Sequence, residues 1–122
     1  MKALVLDDSK TMRTIIKRSL QPLGFEAIEA EHGADALERL AETGPVDIAL
    51  VDWNTPVMNG LEFVCRIRQD ARFDSMLVMM VTTESQASSV MRALEAGADE
   101  YLMKPFTREA LVEKLELLSL LS

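Results

Sequence analysis

Five polar side chains that could act together each follow a short apolar segment of the sequence. They are Asp7, Asp8, Asp52, Thr82 and Lys104. The two adjacent aspartates follow the first apolar segment. Asp52, Thr82 and Lys104 follow the third, fourth and fifth segments. If the segments are parallel strands, their carboxyl ends meet at one edge of a sheet. Three carboxylates, a hydroxyl and an ammonium group would then share one small volume.

Carboxylates at this density predict a bound cation. Like charges held close together must either take up protons or bind an opposite charge. Mg²⁺, or Mn²⁺ in its place, uses few protein carboxylates and shares its remaining positions with water and phosphate oxygens. A carboxylate such as that of Asp52 can attack phosphorus to form an acyl phosphate. Lys104 can neutralise the incoming phosphoryl oxygens, and the Thr82 hydroxyl can donate a hydrogen bond to one of them.

The elements that must position these residues alternate along the chain. Five apolar segments are separated by stretches whose apolar residues recur at helical spacing. The segments are Ala3–Leu6, Phe25–Ala30, Val46–Val51, Met76–Val81 and Tyr101–Met103. This alternation predicts an α/β fold of the (βα)5 type, a doubly wound five-stranded parallel sheet with helices on both faces. No linker-like tract interrupts the sequence, so we expect one domain over residues 1–122 without an output domain.

The composition of the segments predicts the order of the strands. The first, third and fourth are almost wholly apolar, as is typical of central strands that are covered on both faces. The second alternates and carries two carboxylates, and the fifth is short, so both suit the edges of the sheet. The predicted order is 2-1-3-4-5. It places a change of winding direction between strands 1 and 3, where open α/β sheets bind their ligands.

The predicted helices carry identifiable caps and apolar stripes. Ser9 suits the N-cap of the first helix, Gly24 its stop, and Thr107 the N-cap of the fifth helix. Each stripe would pack its helix against the sheet. The residues predicted to face the core from the first and fourth helices are Met12, Ile15, Ile16, Leu20, Leu23, Ala87, Val90, Met91 and Leu94.

Bulk composition limits the classes of function. The 122 residues include 13 basic and 20 acidic side chains, a formal net charge of -7, which disfavours binding to nucleic acid or to an anionic membrane surface. Cys65 has no second cysteine with which to pair, as is typical of a protein from a reducing compartment. The apolar segments are too short for a secretory signal or a membrane span. We therefore expect a cytoplasmic protein.

Four motifs resemble those of a known family. They are Leu6–Ser9, Val51–Pro56 with Met58–Gly60, Val81–Glu84 and Tyr101–Phe106. Over its whole length the chain is similar to response-regulator receiver domains, in particular to single-domain chemotaxis regulators of the CheY type. The resemblance implies the flavodoxin/CheY-like fold, for which the strand order 2-1-3-4-5 is known.

This resemblance implies a phosphoacceptor switch. Asp52 would accept a phosphoryl group from a histidine kinase or a His-phosphotransfer protein. Asp8 and Asp52 would ligate Mg²⁺ directly, the backbone carbonyl of Asn54 would complete the protein ligands, and Asp7 would act through a bound water. Such a protein is not an enzyme with a separate substrate, since it catalyses only its own phosphorylation and dephosphorylation.

The resemblance also implies a route from phosphorylation to output. Thr82 and Tyr101 would form a switch pair, in which the hydroxyl moves to the phosphoryl group and the ring then turns inward. This movement would reshape the surface of helix 4, strand 5 and helix 5, by which a monomer would bind a flagellar-motor switch protein or another target. The Lys104–Pro105 peptide would be cis. Strand parity independently places Tyr101 on the face opposite to Lys104.

Residues beside the site are expected to set the lifetime of the phosphoryl group. Thr83 stands where the family favours Ala or Gly, and Asn54 and Glu84 would flank the path of an attacking water. A phosphate-sink or phosphorelay receiver is an alternative function that these residues leave open. Asn54 argues against a phosphatase of the haloacid-dehalogenase type, which would need an acid at that position.

Two residues that occur once in the sequence are given no catalytic part. His32 follows the predicted edge strand 2 and is expected in a surface loop. Trp53 follows Asp52 and is expected at a partly exposed rim of the site, where its fluorescence could report on metal binding.

Overall fold

The computed structural model describes residues 1–121. Within that range, five parallel strands form one sheet. Their order is β2-β1-β3-β4-β5, which confirms the predicted order and the doubly wound α/β fold. The strands are β1 (Lys2–Leu6), β2 (Glu26–Ala30), β3 (Ile48–Val51), β4 (Leu77–Thr82) and β5 (Glu100–Met103).

A helix follows each strand. One-turn 3₁₀ helices, Gln21–Leu23 and Ala71–Phe73, come after the first and third of the α-helices. No helix in the described part of the chain has both the length and the apolar content needed to cross a membrane. The α-helices are α1 (Lys10–Leu20), α2 (Gly33–Thr43), α3 (Gly60–Arg68), α4 (Ala87–Ala96) and α5 (Arg108–Leu117).

The register of the strands aligns their carboxyl ends. Leu6 of β1 pairs with Val51 of β3, so Asp7 and Asp52 are the next residues on two adjacent strands. The Asp52 N–H donates to the Leu6 carbonyl at 2.8 Å, which extends the ladder by one residue. The Lys104 N–H likewise donates to the Thr82 carbonyl at 2.9 Å. The ladder thus brings the predicted site residues to one edge.

Alternate strand residues face two separate cores. On one side, Leu6 and Val51 pack in a cluster with buried residues of α2, α3 and α4. On the other side, Val5 and Leu50 pack with buried residues of α1 and α5. Both faces of the sheet are therefore covered, and polar side chains from the strands collect at the strand ends.

The predicted helix caps are present. Ser9 Oγ accepts a hydrogen bond from the Met12 N–H at 3.2 Å, and Thr107 Oγ1 accepts one from the Ala110 N–H at 3.1 Å. Gly24 ends the 3₁₀ turn after α1 in the left-handed region, with φ of 93°. His32 Nδ1 accepts from the Asp35 N–H at 3.0 Å, so this residue caps α2, a role that the sequence prediction did not assign.

One buried position of α1 is occupied by a charged residue. Ile16 and Leu20 are buried as predicted, but Ile15 is 46% exposed and Arg13 is buried. The prediction for Ile15 was wrong. Adjacent residues of a helix lie about 100° apart, so Ile15 and Ile16 cannot both be central to one face.

The predicted apolar stripe of α4 lies largely in solvent. Met91 and Leu94 are 56% and 43% exposed, and Ala87 is also exposed, so this prediction was wrong. The fully buried residue of the helix is Ala93, and Val90 is partly buried against the same core. A small residue on the inner face lets α4 lie close to its neighbours, and the larger apolar side chains then fall on the outer face.

Candidate functional site

Three aspartates meet at the carboxyl end of the sheet. Asp7 and Asp8 follow β1, and Asp52 follows the neighbouring strand β3. One carboxylate oxygen from each residue lies within 4.8 Å of the other two. Asp7 and Asp52 are buried, whereas Asp8 is exposed. The structure therefore brings together the three acids that the sequence singled out.

Lys104 places a positive charge between two of these acids. Its Nζ lies 2.6 Å from Asp7 Oδ2 and 3.1 Å from Asp52 Oδ2. Desolvation lowers the pKa of the Lys104 ammonium, but the contacts with the two carboxylates outweigh it, so the pKa is raised above its ordinary value. The group is therefore fully charged at neutral pH. The Lys104–Pro105 peptide that follows is cis.

Asp7 has a separate protein partner for each carboxylate oxygen. Oδ2 accepts from the Lys104 ammonium, and Oδ1 accepts from the backbone N–H of Ser9 at 2.9 Å. Two donors fix the orientation of this buried carboxylate. The exposed Asp8 is, by contrast, the acid of the three that a ligand can reach most directly from solvent.

The oxygen donors of the cluster fit a hard divalent cation. Mg²⁺ binds through one or two carboxylates together with other oxygen ligands and water. The Asn54 N–H donates to Asp52 Oδ1 at 3.3 Å, which holds the loop after β3 beside the acids. Three carboxylates against the single ammonium of Lys104 leave a net negative charge, which a cation would offset. The acidic cluster could therefore hold a metal ion of this kind.

A glycine is required where α3 begins. A Cβ atom at Gly60 would overlap the carbonyl oxygen of Asp52. The Gly60 N–H donates to the Trp53 carbonyl at 2.9 Å, and Asn59 caps the helix through a capping box with Glu62. The start of α3 thus lies directly against the backbone that carries Asp52. This contact gives a physical reason for the glycine that ends the motif segment Met58–Gly60.

Glu84 joins Thr82 to Tyr101 through its backbone. The Glu84 N–H donates to Thr82 Oγ1 at 3.3 Å, and the Tyr101 hydroxyl donates to the Glu84 carbonyl at 2.7 Å. Thr82 is fully buried at the end of β4, and Tyr101 is 9% exposed. Burial, followed by the charges of Glu84 and Asp52, raises the pKa of the Tyr101 phenol. The two residues predicted as a switch pair are therefore both hydrogen-bonded to the backbone of Glu84.

The rim of the site is more exposed. Thr83 and Asn54 are exposed, and Asn54 Nδ2 lies 3.5 Å from Glu84 Oε1, between the loops after β3 and β4. Trp53 is half-buried, as expected for the rim. The guanidinium of Arg92 lies 5.7 Å from the Trp53 ring centre, a cation–π distance that connects α4 to the residue after Asp52.

Sequence reasoning missed two charged residues beside the site. Arg13 Nη1 donates to the backbone carbonyl of Asp7 at 2.6 Å, and Arg13 Nε donates to Glu29 Oε1 at 3.2 Å. The signal available in the sequence was the position of Arg13 beside the apolar stripe of α1. Arginine is seldom buried unless it is paired, so a buried position there would require a partner.

Known proteins are similar to this chain in sequence. The family model for the response regulator receiver domain matches residues 3–116. Chemotaxis protein CheY1 of Helicobacter pylori is 49% identical over 117 residues, which cover 95% of this chain and 94% of that protein. The chemotaxis protein CheY homolog of Campylobacter jejuni is 48% identical over 117 residues, which cover 95% of this chain and 90% of that protein.

Solved structures share the fold. The chemotaxis protein CheY4 of Vibrio cholerae has a TM-score of 0.88 at 33% identity, over 95% of this chain and 96% of that one. A CheY-like receiver domain protein of Methanospirillum hungatei has a TM-score of 0.85 at 28% identity, over 95% of this chain and 90% of that one. The chain belongs to the response regulator receiver domain family.

Proposed function

We propose that this protein is a single-domain response regulator that is phosphorylated on Asp52 and signals by binding a target protein. The observation that carries the proposal is the meeting of Asp7, Asp8, Asp52 and Lys104 at the carboxyl end of the sheet. Such a protein signals instead of turning over a separate substrate. Its only catalysis is its own phosphorylation and dephosphorylation.

Asp52 is the proposed nucleophile. A carboxylate oxygen attacks the phosphorus of a phosphohistidine donor, the O–P bond forms as the N–P bond breaks, and the imidazole leaves with the electron pair. Lys104 Nζ, 3.1 Å from Asp52 Oδ2, neutralises charge on the phosphoryl oxygens. The Thr82 hydroxyl already accepts from the Glu84 N–H, so its own proton is available for a phosphoryl oxygen.

Mg²⁺ or Mn²⁺ is the proposed cofactor. Asp8, Asp52 and the backbone carbonyl of Asn54 would hold the ion directly, and Asp7 would act through a water. When bound, the ion supplies positive charge that offsets the repulsion between the acids and an anionic donor. The indirect role of Asp7 is supported by its protein donors, which lie closer to its two oxygens, at 2.9 and 2.6 Å, than the donors of Asp52 lie to theirs, at 3.3 and 3.1 Å.

Thr82 and Tyr101 are the proposed switch. A movement of Thr82 towards the phosphoryl group would pull on the Glu84 backbone, whose carbonyl anchors the Tyr101 hydroxyl. The ring is already buried in this structure. We therefore expect phosphorylation to stabilise the buried position of the ring by fixing the Glu84 carbonyl, which accepts a hydrogen bond from the Tyr101 hydroxyl.

The target is proposed to bind the surface of α4, β5 and α5. Met91 and Leu94 are exposed on α4 and Met103 is exposed on β5, and exposed apolar side chains suit a protein partner. The relatives named as chemotaxis proteins support a role in that pathway. The proposed partners are a histidine kinase upstream and a flagellar-motor switch protein downstream, and the proposed location is the cytoplasm. Capture of a kinase without any phosphorylation-dependent target would instead indicate a phosphate sink or a phosphorelay receiver.

Three residues at the rim are proposed to tune the phosphoryl lifetime. Asn54 and Glu84 approach each other across the rim at 3.5 Å, and Thr83 is exposed beside them. Their side chains would restrict or orient a water that attacks the phosphoryl group on Asp52.

Labelling with a small phosphodonor tests the proposed function. Incubation with acetyl phosphate and Mg²⁺ should add a phosphoryl group to the protein, as an acid-stable and base-labile adduct seen by intact mass spectrometry. Asp52→Asn should abolish the adduct. Asp47→Asn is the matched control, because it removes an acid from the opposite end of the sheet, and it should leave labelling unchanged. Labelling that persists in Asp52→Asn, or that fails in the unaltered protein with either metal, would overturn the proposal.

A further inference from the structure

Arg13 is a buried charged residue that the proposed phosphoryl transfer does not use. It lies in the first turn of α1, and its side chain is only 9% exposed. Ile16 and Leu20 of the same helix pack into the core. Removing a guanidinium from water is costly unless it is well hydrogen-bonded. The position of Arg13 is therefore explained by its partners.

Those partners connect β2 to the loop after β1. Arg13 Nη1 donates to the Asp7 carbonyl at 2.6 Å, and Nε donates to Glu29 Oε1 at 3.2 Å. Glu29 lies on β2 and also pairs with Lys17 Nζ at 3.8 Å. The Asp7 N–H donates to the carbonyl of Ala30, again on β2, at 3.1 Å. The backbone of Asp7 is thus held on both sides, at its N–H by β2 and at its carbonyl by Arg13.

The carbonyl that Arg13 binds belongs to the peptide bond between Asp7 and Asp8. A peptide unit is planar, so fixing its oxygen also fixes its N–H and the direction in which the next residue leaves. The Asp7 side chain has its own restraints from Ser9 and Lys104. The contact with Arg13 therefore bears mainly on Asp8, the exposed acid of the cluster.

We propose that Arg13, oriented by Glu29, is a positioning residue that sets the direction of Asp8 for a divalent cation. This inference rests on the proposed function and deepens it. A planar guanidinium presents several donors in a fixed geometry and can serve both partners at once, which a lysine ammonium on a flexible stem does not reproduce. Groups that orient a metal ligand contribute about 10- to 100-fold to metal affinity.

Arg13→Lys tests the proposal because it keeps the positive charge and loses the planar arrangement of several donors. Titration with Mg²⁺, followed by calorimetry and by Trp53 fluorescence, should show an affinity about tenfold weaker than that of the unaltered protein. Arg13→Met should also bind more weakly. An effect of charge alone has the opposite sign, since removing a cation near the acids favours a metal ion.

Lys17→Met is the matched control. Lys17 lies on the same helix and pairs with the same Glu29, so its replacement removes the same charge without disturbing the bond to the Asp7 carbonyl. Its Mg²⁺ affinity should equal that of the unaltered protein or exceed it slightly. A tenfold loss in Lys17→Met would show that the affinity falls even when the bond to the Asp7 carbonyl is kept, and it would overturn the role of Arg13.

Amide hydrogen exchange without metal gives an independent readout. In Arg13→Lys the Ser9 amide, which donates to Asp7 Oδ1, should exchange faster, while those of β3 and β4 stay unchanged. Faster exchange throughout the sheet would show a purely structural role and overturn the proposal, as would unchanged affinity with unchanged exchange. If Arg13→Lys does not fold, Glu29→Gln should show a smaller loss of affinity in the same direction, and no loss would overturn the proposal. Absence of Mg²⁺ binding in the unaltered protein would instead refute the proposed function.

Discussion

The two ends of the sheet use charged side chains in different ways. At the amino end, carboxylates accept hydrogen bonds from the backbone of a neighbouring strand. Asp47 Oδ2 accepts from the Lys2 N–H at 2.7 Å, and Asp99 Oδ2 accepts from the Val78 N–H at 2.8 Å. Asp99 also pairs with Arg68 Nη2 at 3.0 Å. Each of these acids satisfies a backbone donor and so helps to hold the folded chain together.

At the carboxyl end, the acids face one another. The carboxylates of Asp7, Asp8 and Asp52 lie within 4.8 Å, and the ammonium of Lys104 binds two of them. We expect mutual repulsion to lower the stability of the metal-free fold and a bound cation to restore it. Acids that stabilise the fold therefore lie at one end of the strands, and acids that could bind a cation lie at the other.

The largest expected effect comes from Asp8→Asn, which removes one like charge and keeps the shape of the side chain. Affinity for Mg²⁺ should fall by more than about 100-fold, the upper end of what even an indirect partner of a metal contributes. The free energy of unfolding without metal should rise by up to about 1 kcal/mol, because repulsion is relieved. Urea unfolding in EDTA and in Mg²⁺ measures both changes.

Asp99→Asn is the control at the amino end. It removes the charge that pairs with Arg68, so it should lower the free energy of unfolding both with and without Mg²⁺. A metal-free Asp8→Asn that is less stable than the unaltered protein would contradict the contrast between the two ends.

The second-largest effect is a loss of stability in Arg68→Met, a substitution at the amino end of the sheet. Arg68 donates to the carbonyls of Gly97 and Phe73 at 3.0 and 3.1 Å, besides its bond to Asp99. Loss of these charge-assisted bonds should lower the free energy of unfolding by about 2 kcal/mol in urea. Labelling of Asp52 by acetyl phosphate should be unchanged under conditions where the variant is folded.

A matched control for Arg68 lies on the surface. Arg72 pairs with Asp70 at 2.7 Å in an exposed position, and Arg72→Met should change the urea midpoint little, since solvent screens such pairs. If Arg68→Met abolished labelling while it remained folded, the two ends of the sheet would be coupled and not separable.

The parts of the molecule that were predictable from the sequence are those governed by strand geometry. Apolar segments of the right length and composition gave the strand order, because burial on both faces demands it. Parallel strands end at one edge, so Asp7, Asp52 and Lys104 had to converge once that order was right. The roles assigned to these residues stay predictions.

The parts that were not predictable depend on packing between elements. A helix with apolar residues around much of its surface has no unique inner face, so Ala93 and not Met91 is the buried residue of α4. The partners of Arg13 could not be assigned, because Glu29 and the Asp7 carbonyl lie on other elements and meet the guanidinium only in the folded chain. Local patterns do not contain such contacts.

The smallest expected effect is a shift in the ionisation of Tyr101, which belongs to the core of the sheet but is anchored at its carboxyl end. It is the only tyrosine among the 122 residues, so tyrosinate absorbance reports on it alone. Burial, then the charges of Glu84 and Asp52, raises the pKa of the phenol above 10.0. The midpoint of the absorbance titration should lie above that value and should move down in Asp52→Asn.

The sign of the accompanying change in stability follows from linkage. The unfolded chain ionises Tyr101 near pH 10, whereas the folded chain keeps the phenol neutral, so the free energy of unfolding falls as the pH rises above about 10. The raised pKa of Lys104 acts in the same direction over the same range, since its stabilisation is lost as the ammonium deprotonates. Tyr101→Phe separates the two, because its stability should fall less steeply with pH. Identical slopes, or a Tyr101 midpoint at or below 10, would mean that the phenol ionises as it does in solvent and that neither burial nor the nearby carboxylates shift its pKa.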